Sequence, residues 1–200
     1  MNTMKQALSV AVVLFGALSA GCIATVDSHS EIVREEKRFT VSGPADVRVT
    51  TFDGSIQIQA WDRPEVLIEI EKRGPTRESV DALESEVEQT GSVIDLEVKR
   101  PRTESFSGIG VHRSSSARLI VSVPGTTNIR ARSGDGSIRI ERVNGAIELR
   151  TSDGSIRASE VTGELSFDTN DGSVVVERAR GRLAVDTGDA VSPCRAGSPW

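Results

Sequence analysis

Glycine recurs at positions 136, 145, 154, 163, 172 and 181, a spacing of nine each time. Cut at these glycines, the chain reads GSIRIERVN, GAIELRTSD, GSIRASEVT, GELSFDTND, GSVVVERAR and GRLAVDTGD. Alternate segments differ in a regular way. One kind carries Val143, Val161 or Ala179 at its eighth place; the other carries Thr151, Thr169 or Thr187 at its seventh and Asp at its ninth. The period is therefore eighteen residues, built from two related halves, and TNIRARSGD at 127–135 adds one further half upstream.

Within each half the apolar residues stand two apart: Ile138 and Ile140, Ile147 and Leu149, Ile156 and Ala158, Leu165 and Phe167, Val174 and Val176, Leu183 and Val185. Spacing by two is a strand period with one face in and one out. A helix would need spacing by three and four, and the recurrent glycine would weaken it. Asp-Gly at the junction supplies a tight turn whose glycine tolerates positive φ. Each eighteen-residue unit thus reads as strand, turn, strand, turn, one coil of a stacked solenoid. The expected fold is an all-β, single-domain β-solenoid.

Stacking turns equivalent positions into columns. Ile138, Ile156 and Val174 should lie above one another inside, as should Ile147, Leu165 and Leu183. Ser133, Thr151, Thr169 and Thr187 form a hydroxyl column. Arg142, Glu160 and Arg178 alternate in sign, a cross-strand arrangement worth about 0.2–1 kcal/mol per pair. The structural turn column is Asp135–Gly136, Asp153–Gly154 and Asp171–Gly172, with Asp189 continuing it. Each Asp is expected to accept backbone N–H bonds within its own turn. Calcium-loaded β-rolls also use nine-residue repeats, but with glycines and Asp arranged as GGxGxD; here a lone Asp precedes each Gly, so no metal or other cofactor is expected.

Upstream, ADVRVTTFDGSIQIQAWDRPEVLIEIEKRG at 45–74 follows the same logic, with Val47, Val49 and Thr51 in one half and Gly54, Ile56, Ile58 and Trp61 in the other. The stretch 75–89 changes period, with Val80, Leu83 and Val87 on one face of a short helical insertion. VIDLEVKR at 93–100 returns to alternation, and the polar stretch 101–117, which contains His112, reads as a surface loop. A functional site is expected in that loop or the helix. ARLIVSVPG at 117–125 leads into the regular coils. The order DGSIQIQAWDRPEV, a helical insertion, then repeated DGSI coils resembles the bacterial toastrack "putative adhesin" domains over residues 40–189. The resemblance implies an extracytoplasmic β-solenoid tied to adhesion or envelope-stress sensing, with no catalytic residues to carry over.

The N-terminus reads as an export address. Lys5 is the only charge before Asp27, Ala7–Ala20 is largely apolar, and small residues run up to Cys22 in LSAGC. This expects a signal peptide over 1–21 and lipidation of Cys22, although Ser19 stands where a lipobox usually has Leu. An uncleaved span over Ala7–Val26 and a plain signal peptide cut near Ala20 are the alternatives. Residues 22–39, with His29, read as a lipidated start and tether to the domain at 40–189. With Cys22 lipidated, Cys194 is left alone and no intramolecular disulfide is expected. The end, 190–200, is irregular: AVSPCRAGSPW cannot continue a coil, so it either folds over the last edge or marks a truncation.

Composition narrows the function. Net charge is −5, with no basic field for nucleic acid. Two His and no Tyr are a poor inventory for acid–base chemistry, and no Ser/His/Asp set, HExxH, CxxC pair or phosphate loop is present. The first reading is a non-enzymatic lipoprotein of the cell envelope, periplasmic or outward-facing, that offers its solenoid surface to a protein or cell-wall partner. The second is an envelope-stress sensor or scaffold that self-associates through a solenoid end. A polysaccharide-acting β-helix enzyme is the third, and needs a groove of acids and aromatics that five Phe and two Trp scarcely supply.

Overall fold

The computed structural model describes residues 30–100 and 115–188. Its strands are β1 (Glu31–Thr40), β2 (Ala45–Thr51), β3 (Ile56–Trp61), β4 (Glu65–Gly74), β5 (Glu84–Thr90), β6 (Val93–Lys99) and β7 (Ser116–Pro124), with one short helix, α1 (Arg77–Asp81), before β5. The regular part follows as β8 (Thr127–Ser133), β9 (Ile138–Glu141), β10 (Asn144–Thr151), β11 (Ile156–Ser159), β12 (Thr162–Thr169), β13 (Val174–Glu177) and β14 (Arg180–Thr187). They form two seven-stranded sheets, ordered β1-β4-β7-β3-β9-β11-β13 and β14-β12-β10-β8-β2-β6-β5.

The fold is the expected β-solenoid, and the eighteen-residue register holds residue for residue. Ile156 pairs in parallel with Ile138 on one side and Val174 on the other, while Leu165 lies between Ile147 and Leu183. The alternation follows directly from the sequence, since β8 buries Ile129 and Ala131 while Arg130 and Arg132 point to water. Burying one such aliphatic side chain contributes about 1.5–3 kcal/mol, and the columns from both sheets join in one core.

The coils do not stack in sequence order. β2–β3 sits directly beneath β8–β9, with Val47 beside Ile129 and Ile56 beside Ile138. On its other side lie β6 and β7, both parallel to it. β6 and β7 thus form the layer below 45–61, and the chain steps past the earlier coil on its way from β7 to β8. The segment 117–125 is a buried strand of that lower coil before it is a lead-in to the regular coils.

Two expectations change here. Residues 31–39 are not tether: β1 pairs along its whole length with β4, antiparallel from Glu31–Gly74 to Thr40–Glu65. The sequence hides this because charged residues occupy both faces of β1, and ion pairs such as Arg34–Glu71 (2.9 Å) take the place of an apolar period. The helix near 75–89 is also shorter than expected. It spans five residues, opened by a capping box between Thr76 and Ser79, and residues 84–90 form β5 antiparallel to β6. Val80 and Leu83 are buried as a helical face requires, but Val87 belongs to the strand. Glu-rich ESEVEQT suits a helix locally, and pairing along β6 decides otherwise.

Candidate functional site

The repeated DGSI corner is built by the hydroxyl column. Thr151 Oγ1 donates to the carbonyl oxygen of Gly136 in the coil below (2.8 Å) and accepts from the N–H of Gly154 in its own turn (3.2 Å). Ser133 does the same between Gly54 O (2.9 Å) and Gly136 N (3.1 Å), and Thr169 donates to Gly154 O (3.0 Å). These hydroxyls are buried, so each bond is made where water cannot replace it.

Glycine is required there by contact. A Cβ on Gly136, Gly154 or Gly172 would lie 1.6, 2.1 or 1.8 Å from the carbonyl oxygen of the glycine one coil below. Their φ values are not positive; among the DGS glycines only Gly54 is in that region, at 122°. The corner glycines, expected from the sequence to serve turns of positive φ, instead make room for stacking. Positive φ occurs at the opposite corner, at Arg142, Glu160 and Arg178 (60°, 55° and 53°) and at Gly145, Gly163 and Gly181. The alternating charges consequently lie in a turn, where Arg178 reaches Glu160 at 3.0 Å.

The Asp column is also corrected. Asp135, Asp153 and Asp171 are exposed, and the backbone N–H bonds expected of them are taken by the Ser and Thr hydroxyls. Among the described residues no three His, Cys, Asp or Glu gather into a group that could hold a metal ion. Cys22, His29, His112, Asp189 and Cys194 lie outside the described residues, as does most of the 101–117 loop proposed as a site.

Sequence reasoning did not single out the outer face of the β10 sheet. Parallel register sets Arg48 beside Arg130 and Arg130 beside Glu148, with Arg132 beside Arg150 in the next column. Glu148 gathers three arginines: Arg150 at 3.1 Å, Arg132 at 3.3 Å and Arg130 at 3.7 Å. Asp46 and Asp168 take further contacts from Arg130 and Arg150, each at 3.8 Å. The face is a lattice of half-exposed charges around an open depression of about 400 Å³, lined by Arg48, Thr50, Asp95, Arg130, Arg132 and Glu148. Arginine guanidinium groups fixed this way present planar donors to carboxylate or phosphate oxygens. The signal was available, because the outward places of adjacent coils are eighteen residues apart; Arg48 was out of reach because its coil is displaced.

The end formed by β1, β4 and β5 is guarded by a buried charge. Lys72, 6% exposed, meets Glu35 at 2.7 Å, and Ser85 Oγ donates to the same carboxylate at 2.8 Å. Desolvation pushes the Glu35 pKa up, but the hydrogen bonds from Lys72 and Ser85, with the charges of Lys72 and Lys37, outweigh it and leave the pKa lowered.

Residues 45–185 match the family model described as Toastrack DUF4097. The chain belongs to the toastrack family. No curated protein matches this toastrack chain. Solved structures similar to it include a "putative cell adhesion protein" from Clostridium sporogenes, 12% identical with a TM-score of 0.47, covering 78% of this chain and 99% of that one. A "putative lipid binding protein" from Parabacteroides distasonis is 11% identical with a TM-score of 0.45, covering 77% and 62%. A "putative adhesin" from the same species is 13% identical with a TM-score of 0.35, covering 78% and 70%. At such identity and overlap these neighbours bring no function to the toastrack chain described here.

Proposed function

We propose that this toastrack protein is a non-enzymatic lipoprotein of the bacterial cell envelope, anchored through Cys22, that presents its solenoid surface to a protein or cell-wall partner. The observation that carries the reading is the charged lattice around Glu148. It is rigidly spaced by the coils, open to solvent and ordered by three arginines, which suits recognition of an extended anionic or mixed-charge surface. The cysteine-terminated leader supports export and anchoring, and the absence of a catalytic motif in the sequence supports binding over turnover.

Two measurements test it. Cys22→Ser should abolish acyl labelling and release the protein to the soluble fraction; retention in the membrane would point to an uncleaved span. Binding to isolated cell-wall sacculi and to a glycan array, with product analysis, tests the presented face. Retention without turnover that weakens in Arg130→Glu/Arg132→Glu supports the proposal. Turnover would favour a polysaccharide-acting enzyme, and retention unaffected by the double variant would remove the lattice from the binding surface.

A further inference from the structure

The two ends of the solenoid differ in how they are finished. At one end β5 carries the like charges Glu84, Glu86 and Glu88, with the inward Lys72–Glu35 pair beneath β1, and an acidic edge over an inward charge disfavours addition of a like strand. At the other, β13 and β14 are the outer strands of their sheets among the described residues, and neither holds Pro, Lys or an inward charge. Leu183, which belongs to an interior column, is 38% exposed there.

The hydrogen-bonding parity of that edge is fixed. Arg180 N donates to Val161 O and Gly188 N to Thr169 O, so even-numbered residues of β14 face β12. The N–H and C=O groups of Gly181, Leu183 and Val185 therefore point away from β12, and among the described residues nothing meets them. A second β14 laid antiparallel about Ala184 satisfies them, because Leu183 and Val185 then exchange both bonds with Val185 and Leu183 of the other copy. The same register places Arg182 opposite Asp186 twice, on the outer face, with Ala184 against Ala184 between them. Centring on Leu183 would instead oppose Arg182 to Ala184, and centring on Val185 would oppose Asp186 to Ala184. β13 admits the matching arrangement about Val175. Ile156 N donates to Ser173 O, which turns Val174 and Val176 outward along the edge to bond each other across the same kind of dyad.

We infer that the β13–β14 end binds a second copy of this chain in a closed, two-fold antiparallel dimer, which continues both sheets from one molecule into the other. Arg182 lies 3.6 Å from Glu164 of its own chain and would sit between that carboxylate and the incoming Asp186.

The test uses the full chain with Cys194→Ser as background. Residues on the dyad of such a pair have Cα atoms about 4.5 Å apart, within the 4.4–6.8 Å that a disulfide spans. Ala184→Cys should therefore cross-link to itself under mild oxidation. Ser166→Cys, one strand inward and about 14 Å from its counterpart, should not. In sedimentation velocity, Arg182→Asp and Asp186→Arg should each weaken self-association roughly tenfold or more, since each sets like charges opposite one another. Mixed in equal amounts, the two variants should restore the dimer, because every opposed pair is again Arg with Asp. A full chain that stays monomeric, as a tail covering the strand would make it, overturns the inference. So does open-ended growth with concentration, or a mixture that associates no better than either variant alone.

Discussion

Gly154→Ala isolates what the corner glycine contributes. The added Cβ would stand 2.1 Å from Gly136 O and 2.5 Å from Gly136 C, both backbone atoms of the coil below, and 2.8 Å from Thr151 Oγ1. Real carbon–oxygen contacts begin near 3.0 Å or beyond, so the two coils must separate locally by about 1 Å. Such overpacking costs about 1–3 kcal/mol. The same separation disrupts the Thr151–Gly136 bond and the Gly154–Thr151 bond, whose groups are buried, adding about 1–3 kcal/mol. The expected loss is therefore about 2–6 kcal/mol, with no φ penalty in it, because φ at Gly154 is not positive. Gly43→Ala is the control: nothing lies within 4 Å of its Cβ, and its effect should be within about 1 kcal/mol of zero. Urea unfolding followed by far-ultraviolet circular dichroism, with equal m-values required, gives the difference. If Gly154→Ala matched Gly43→Ala within about 0.5 kcal/mol, the coils would not be in the contact described, and the steric account of the repeat would fall.

Thr151→Val keeps shape but leaves the Gly154 N–H and Gly136 carbonyl without their buried partner; it should cost about 1–3 kcal/mol in the same assay, with Thr151→Ser recovering most of it. Ile156→Asp buries an unpaired carboxylate between two coils and should cost several kcal/mol, whereas Arg157→Glu, which faces water, should change stability by roughly 0.5 kcal/mol or less. Arg142→Gly should stabilise by about 0.5–2 kcal/mol, because it relieves a side chain held at φ 60°; destabilisation would show that Arg142 makes a compensating contact. The Glu35 pKa is lowered in the fold, so its ionised form favours folding above the usual 4.5, and that contribution disappears as pH falls through the lowered value. Glu35→Gln should therefore flatten the stability profile below about pH 4.5 and leave its shape above pH 6 unchanged; an unaltered acid limb would place the titration elsewhere, Glu71 beside Arg34 being the next candidate.

What could be read from the sequence was whatever the coil repeats. Inward and outward places, the hydroxyl column and the pairing of Ile156 with Ile138 and Val174 follow from a period of two inside a period of eighteen, because stacked coils must place like on like. The reason for the corner glycine was misread, since Asp-Gly also spells a turn and only the distance to the next coil separates steric need from backbone conformation. β1 was missed because its partner is β4, whose position depends on the whole end of the solenoid, and because charges on both faces erase the period. The cluster about Glu148 was half legible: Arg130, Arg132 and Arg150 lie on equivalent halves of neighbouring coils, but Arg48 joins them only through the displaced coil.

That displacement has its own physical logic. A coil has no intrinsic place in a stack; any two with matching corners can be neighbours, so order is set by the corners. Residues 45–61 carry the hydroxyl of Thr51 and the glycine of Gly54, and they receive the coil above as any regular coil would, with Gly136 on Gly54 and Ser133 bonded to Gly54 O. Below, Gly54 rests against Ala117, where the built Cβ would stand 2.0 Å from the Ala117 carbonyl. By register Ala117 stands at the place of Gly54 in the lower coil, so another regular coil could not be accommodated beneath it by the same contact. It is followed instead by the antiparallel strands β4 and β5 and the buried Lys72–Glu35 pair. The rule that lets coils stack thus also stops them at one end: remove the corner glycine, turn the strands antiparallel and bury a charge. None of the three devices is present in β13 or β14, which is why addition of a like edge is expected at that end and not at the other.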